Sequence, residues 1–209
     1  MKKIDAKKLF NKEWEFLTGA ANITQIPNYR NPEVAFIGAS NVGKSSIINA
    51  LLSKKIAIVS STPGRTRQLN FFISDKDSPN SLVLVDMPGY GFAKAGKKDI
   101  ESWQKTSFEF LAKRANLQRV FLLIDPIKGL KESDKDIINM FNTLAVSFQI
   151  VLTKVDKLKS EEVAKVENQI NQAAKKWPAI YPKIIKTSSL QKIGIYELQD
   201  SIVEILSFL

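Results

Sequence analysis

Residues 38–45, Gly-Ala-Ser-Asn-Val-Gly-Lys-Ser, constrain this chain more than any other stretch. They match the pattern glycine, four residues, glycine, lysine, serine or threonine. They stand between a short apolar run, Val34-Ala35-Phe36-Ile37, and a helical pattern from Lys44 to about Leu52. Strand, loop, helix is the order that a bound phosphate requires. The glycines let the main chain wrap closely round phosphate oxygens, and the N–H groups opening the helix point at the negative charge. Gly38, Ala39, Ser40, Asn41, Val42, Gly43, Lys44 and Ser45 are therefore candidate nucleotide contacts. Lys44 is expected to reach the β- and γ-phosphates, and the Ser45 hydroxyl to bind Mg²⁺.

The rest of the chain repeats that alternation. Leu69–Ile73, Leu82–Val85, Val120–Ile124, Phe148–Leu152 and Lys183–Lys186 read as further strands. Helical patterns cover Asp99 to about Arg114, Ser133 (as cap) to about Leu144, Ser160–Lys176 and Gly194–Leu206. Six strands alternating with helices predict an α/β fold of three layers, a mostly parallel six-stranded sheet covered on both faces. The Asn22–Pro32 stretch divides a basic N-terminal arm or helix, residues 1–31, from the main domain, 32–209.

Two loops after the phosphate motif supply oxygen ligands for a cation. Asp86 ends the strand Leu82–Val85 and opens Asp86-Met87-Pro88-Gly89. A carboxylate at that strand end can hold Mg²⁺ through water, and Gly89 leaves an unobstructed N–H for the γ-phosphate. Thr62-Pro63-Gly64-Arg65-Thr66 has the composition of a loop. Thr66 is the candidate second hydroxyl on Mg²⁺, available only when a γ-phosphate orders the loop, which makes the loop a switch. Gly64, Arg65, Arg67, Gln68, Met87 and Pro88 complete the expected lining on this side.

Thr153-Lys154-Val155-Asp156 follows the strand Phe148–Leu152. Asp156 can accept from the guanine N1–H and exocyclic amine; adenine lacks that pair of donors and would leave the carboxylate unanswered. The Lys154 stem can lie along the base, and the Thr153 hydroxyl can tie this loop to the phosphate loop. Thr187, Ser188 and Ser189, after the last strand, suit main-chain contacts to guanine O6.

Composition narrows the function classes. The 209 residues include no cysteine and no histidine, which excludes a disulfide framework, a thiolate metal site and imidazole catalysis. No apolar run reaches the ~18 residues of a membrane span, and the basic N-terminus has no apolar stretch behind it. A cytoplasmic protein is expected. The net charge of +10 exceeds what one nucleotide needs and points to a polyanion, RNA first.

These motifs, in this order, resemble the bacterial EngB GTPases of the Era-like class. The residues carrying the likeness are Gly38–Ser45, Thr62–Thr66, Asp86–Gly91, Thr153–Asp156 and Ser188–Ser189, with Asn70-Phe71-Phe72 and Pro88-Gly89-Tyr90-Gly91 as its most telling details. It covers nearly the whole chain. Two departures are Ala39, where the family usually has arginine, and Asp125 followed by Pro126, Ile127 and Lys128, where an arginine is expected. The resemblance implies a monomeric, Mg²⁺-dependent GTPase with a role in assembly of the large ribosomal subunit and in normal cell division and septation. The alternative is a GTP-dependent division regulator working through a protein partner without RNA contact.

Hydrolysis should be slow without help. Ras-type proteins carry a water-orienting glutamine just after the DxxG sequence; here that place holds Tyr90. Related GTPases use an asparagine at the place of Asn41 to hold K⁺ near the phosphates, so K⁺ is a candidate cofactor. Lys44, Thr66, Gly89 and Asn41 form the expected catalytic set. Arg65, Arg67, Lys94, Lys97 and Lys98 would form a basic patch in one nucleotide state, beside Lys175, Lys176, Lys183 and Lys186.

Overall fold

The computed structural model describes residues 5–59, 68–76, 78, 81–91 and 97–206, with backbone alone for 97–104. At its centre run strands β2 (Glu33–Gly38), β4 (Val83–Asp86), β5 (Leu117–Ile124), β6 (Phe148–Leu152) and β7 (Ile185–Lys186), all parallel. Every residue of β2, β4 and β6 is buried. That is why these strands read as unbroken apolar runs: a parallel sheet is covered on both faces. Two antiparallel strands complete one side, β3 (Leu69–Ile73) against β4 and β1 (Glu15–Ala20) against β3.

The α/β class expected from sequence is the one observed, but the sheet has seven strands where six were expected, in the order β1-β3-β4-β2-β5-β6-β7. The seventh is β1. Glu15-Phe16-Leu17-Thr18-Gly19-Ala20 shows no clean alternation because it is an edge strand whose register shifts between Phe16 and Thr18. Just before it, Trp14 is fully buried and stacks on Phe10 at 5.7 Å between ring centroids.

Helices α1 (Ala6–Phe10), α2 (Lys44–Leu51) and α6 (Ile195–Leu206) close one face of the sheet, with Leu9, Ile47, Leu51, Leu198 and Ile202 in a common core. Helices α3 (Lys97–Lys113), α4 (Glu132–Thr143) and α5 (Ser160–Ala174) close the other, through Phe110, Ile138, Phe141, Val163 and Ile170. The cap of helix α4 is Lys131 rather than Ser133, because the Asp134 carboxylate accepts the Lys131 N–H at 2.8 Å and so answers a donor at the helix start. None of the described helices is long and apolar enough to cross a membrane.

The parallel strands bring their carboxyl ends to one edge of the sheet. In open α/β sheets that edge is where ligands bind. Gly38, Asp86, Ile124, Leu152 and Lys186 all end there, so the loops that follow them meet.

Candidate nucleotide-binding site

The loop between β2 and α2 turns back on itself at two left-handed residues, Asn41 at φ 64° and Gly43 at φ 107°. Gly43 also caps α2. A side chain at that φ would be strained, so a glycine is required there. The amides of Gly43, Lys44 and Ser45 donate to no group among the described residues. They form a row of unanswered donors at a helix N-terminus, which suits an anion.

The segment after β4 is stitched to this loop. The Tyr90 N–H donates to Gly38 O at 3.3 Å and the Ser40 N–H to Tyr90 O at 3.0 Å. Gly89 immediately precedes Tyr90, which makes both bonds. A Cβ there would lie 3.3 Å from Gly38 O, Ser40 N and Ser40 Cα, so only glycine leaves the two segments this close without strain. Its N–H, like those of the loop, has no acceptor among the described residues. Beneath them the Lys44 ammonium donates to the Asp86 carboxylate, with the two residues 8% and 2% exposed. Met87 is buried and its N–H is held by Phe36 O at 3.0 Å.

Thr153, at the end of β6, is buried and donates its hydroxyl to Val42 O at 2.7 Å. Lys154 is left-handed, at φ 55°, and donates its ammonium to Asn41 O at 2.8 Å. The loop after β7 joins them. Thr187 donates to Leu152 O through both N–H and hydroxyl, at 2.7 and 2.8 Å, and accepts the Val155 N–H at 3.2 Å. The Ser188 hydroxyl accepts the Gln191 N–H at 3.0 Å, which fixes the turn carrying Ser189. Asp156, half-buried, makes no hydrogen bond or ion pair among the described residues.

The structure thus gathers Gly38 to Ser45, Asp86 to Gly89, Thr153 to Asp156 and Thr187 to Ser189 at one edge. Gly64, Arg65, Thr66, Arg67 and Lys94, and the side chains of Lys97 and Lys98, lie outside the described residues. Gln68 is described and exposed, and its amide donates to Asn70 Oδ1 at 3.1 Å. Lys183 and Lys186 are taken up in ion pairs with Glu197 and Glu167, at 3.1 and 3.0 Å.

Two carboxylates of the site escaped the sequence reading. Asp125, 7% exposed at the end of β5, accepts the Lys154 ammonium at 2.8 Å and the Ile127 N–H at 3.1 Å. Its position after an apolar strand is the same signal that picked out Asp86. Asp134 accepts the Tyr90 hydroxyl at 2.6 Å. Burial, then the neighbouring Asp134 charge, pushes the Tyr90 phenol well above its ordinary range. The Tyr90 side chain is therefore committed to α4.

Residues 33–154 match the sequence profile of a family described as 50S ribosome-binding GTPase. The chain is 44% identical over 204 residues to a probable GTP-binding protein EngB of Rhizobium etli, covering 95% of this chain and 94% of that one. This chain belongs to the EngB family of GTPases. An EngB of Chelativorans sp. is 46% identical, over 94% of this chain and 90% of its own. Among solved structures, one of a probable GTP-binding protein EngB shares the fold at a TM-score of 0.65 and 24% identity, covering 85% of this chain and all of its own. Era in complex with MgGDPNP and nucleotides 1506–1542 of 16S ribosomal RNA superposes at a TM-score of 0.70 and 25% identity, over 85% of this chain and 57% of that one. The EngB motifs fall on the loops just described: the phosphate loop, the Asp86 loop and the Thr153–Asp156 loop.

Proposed function

We propose that this EngB-family chain binds Mg²⁺–GTP at the carboxyl edge of its sheet, hydrolyses it slowly, and acts as a switch in assembly of the large ribosomal subunit. One observation carries the nucleotide reading. The loop that holds the unengaged Asp156 carboxylate is tied to the loop of unanswered amides by two hydrogen bonds, Thr153 to Val42 and Lys154 to Asn41. A guanine held by Asp156 then leaves its phosphates against Gly43, Lys44 and Ser45.

The donor set suits Mg²⁺, which prefers hard oxygen ligands. Ser45 would bind it directly and Asp86 through water, with Thr66 as the proposed third group. Bound there, Mg²⁺ neutralises charge on the β- and γ-oxygens. Lys44 then turns its ammonium from Asp86 to those oxygens. The Gly89 N–H meets the γ-phosphate. Tyr90, engaged with Asp134, does not orient water, which supports slow hydrolysis by the chain alone. Asn41, at φ 64°, is the proposed K⁺ contact; equal hydrolysis rates in K⁺ and Na⁺ buffers would remove it.

Three facts support the ribosomal reading: the matched family's description, the net charge of +10, and the attraction of such a charge to polyphosphates. The test is co-sedimentation with large ribosomal subunits. Association should be stronger with a non-hydrolysable GTP analogue than with GDP. No association in either state would overturn the ribosomal role, and equal affinity for ATP and GTP would overturn the site.

A further inference from the structure

A cleft of about 750 Å³ is lined by residues of α2, of α6 and of the segments that follow α2 and precede α6. Its lining includes Ser46, one residue past the phosphate loop, and Ser189 of the base loop. It is also lined by Lys54, Lys55, Lys192 and Tyr196. Among the described residues, no aspartate or glutamate lines it. Lys54 is held by Trp14 O at 3.1 Å and by Glu13. Lys55 and Lys192 have no partner among the described residues, and Lys192 is set in a left-handed turn at φ 58°. Tyr196 is 72% exposed and Leu190, also in the lining, 82%. With Val59, 59% exposed, these side chains leave apolar surface in water within one cleft, and an exposed patch rimmed by polar groups marks an interaction site.

We infer that this cleft takes an unpaired segment of RNA, with a base stacked on Tyr196 and the phosphates on Lys55 and Lys192. The inference rests on the ribosomal-RNA reading proposed above and assigns it a surface. Single-stranded RNA is held in this way: aromatic faces take bases whatever their sequence, and lysines follow the backbone. The charged residues among the described lining are all lysines, which favours a polyanion over a neutral protein segment. The cleft also adjoins both Ser46 and Ser189, so an RNA seated in it touches the walls of the nucleotide site.

The test uses the full chain and two probes, a fluorescein-labelled single-stranded oligouridylate and purified large-subunit precursor particles. Tyr196→Ala should weaken oligouridylate binding about tenfold. Lys55→Ala with Lys192→Ala should weaken it by a similar factor and lower the salt slope by about 0.7 for each lysine. Phe108→Ala and Lys165→Ala, at exposed sites away from the cleft, should change neither. GTP affinity measured on each variant checks that the fold is intact. Cleft variants that bind both probes as the wild type does would overturn the cleft and leave the ribosomal reading standing. Variants that lose the particles but keep the oligouridylate would make the occupant a protein and overturn it too. A wild type that ignores particles and oligouridylate alike would overturn the ribosomal reading itself.

Discussion

Both ends of the sheet bury charge, and they do it differently. At the amino end, Glu33 is fully buried and takes three hydrogen bonds from Arg114, at 2.7 to 3.0 Å, besides one from the Tyr29 hydroxyl. Nearby, Arg119 donates to Gln149 at 3.2 Å and lies 3.8 Å over the Tyr181 ring, while Ser201 donates to Gln149 at 2.8 Å. At the carboxyl end, Lys44 meets Asp86 and Lys154 meets Asp125. There, however, a run of main-chain amides and the Asp156 carboxylate stay without partners among the described residues. Buried charge alone does not mark a site. Unanswered donors, held in place by left-handed turns, do.

The widest separation of the two ends should come from Arg114→Ala. It strands the buried Glu33 carboxylate and should cost about 3–5 kcal/mol of stability by urea unfolding, with GTP affinity unchanged. A change in GTP affinity would break the contrast. Asp156→Asn should do the reverse. GTP binding, followed with a fluorescent analogue, should weaken roughly a hundredfold, because the amide puts a donor against a donor, while urea stability holds.

Tyr90→Phe tests a residue that belongs to both descriptions. It leaves one oxygen of the buried Asp134 without its donor and should cost about 2 kcal/mol, again by urea unfolding. The smallest effect is its pH dependence. The folded-state phenol is raised, so its contribution is fully present below the ordinary phenol value of about 10 and is lost as pH climbs past it. The stability difference between wild type and Tyr90→Phe should be flat from about pH 7 to 9 and shrink above about pH 10. A difference that grew with pH would contradict the buried, neutral phenol.

What was legible in the sequence follows from the same contrast. The phosphate loop, the Asp86 loop and the Thr153–Asp156 loop each obey local chemistry, a few residues long, and stand out in any chain that carries them. The amino-end networks do not. Arg114 and Glu33 are 81 positions apart, and neither has a neighbour that announces the other. Asp125 and Lys154 are 29 apart and meet only because β5 and β6 end side by side. The strand β1 was missed because its order comes from pairing with β3 rather than from alternation within itself. The start of α4 was misplaced because the stabilising carboxylate belongs to Asp134, inside the helix, and not to the serine ahead of it.

That late-read strand has a practical side. A chain shortened to begin at Pro32 would be more than trimmed, because β3 would be left with a bare row of amides and carbonyls along Leu69–Ile73. Another copy could supply the missing strand, and the shortened molecules would join edge to edge into chains of their own.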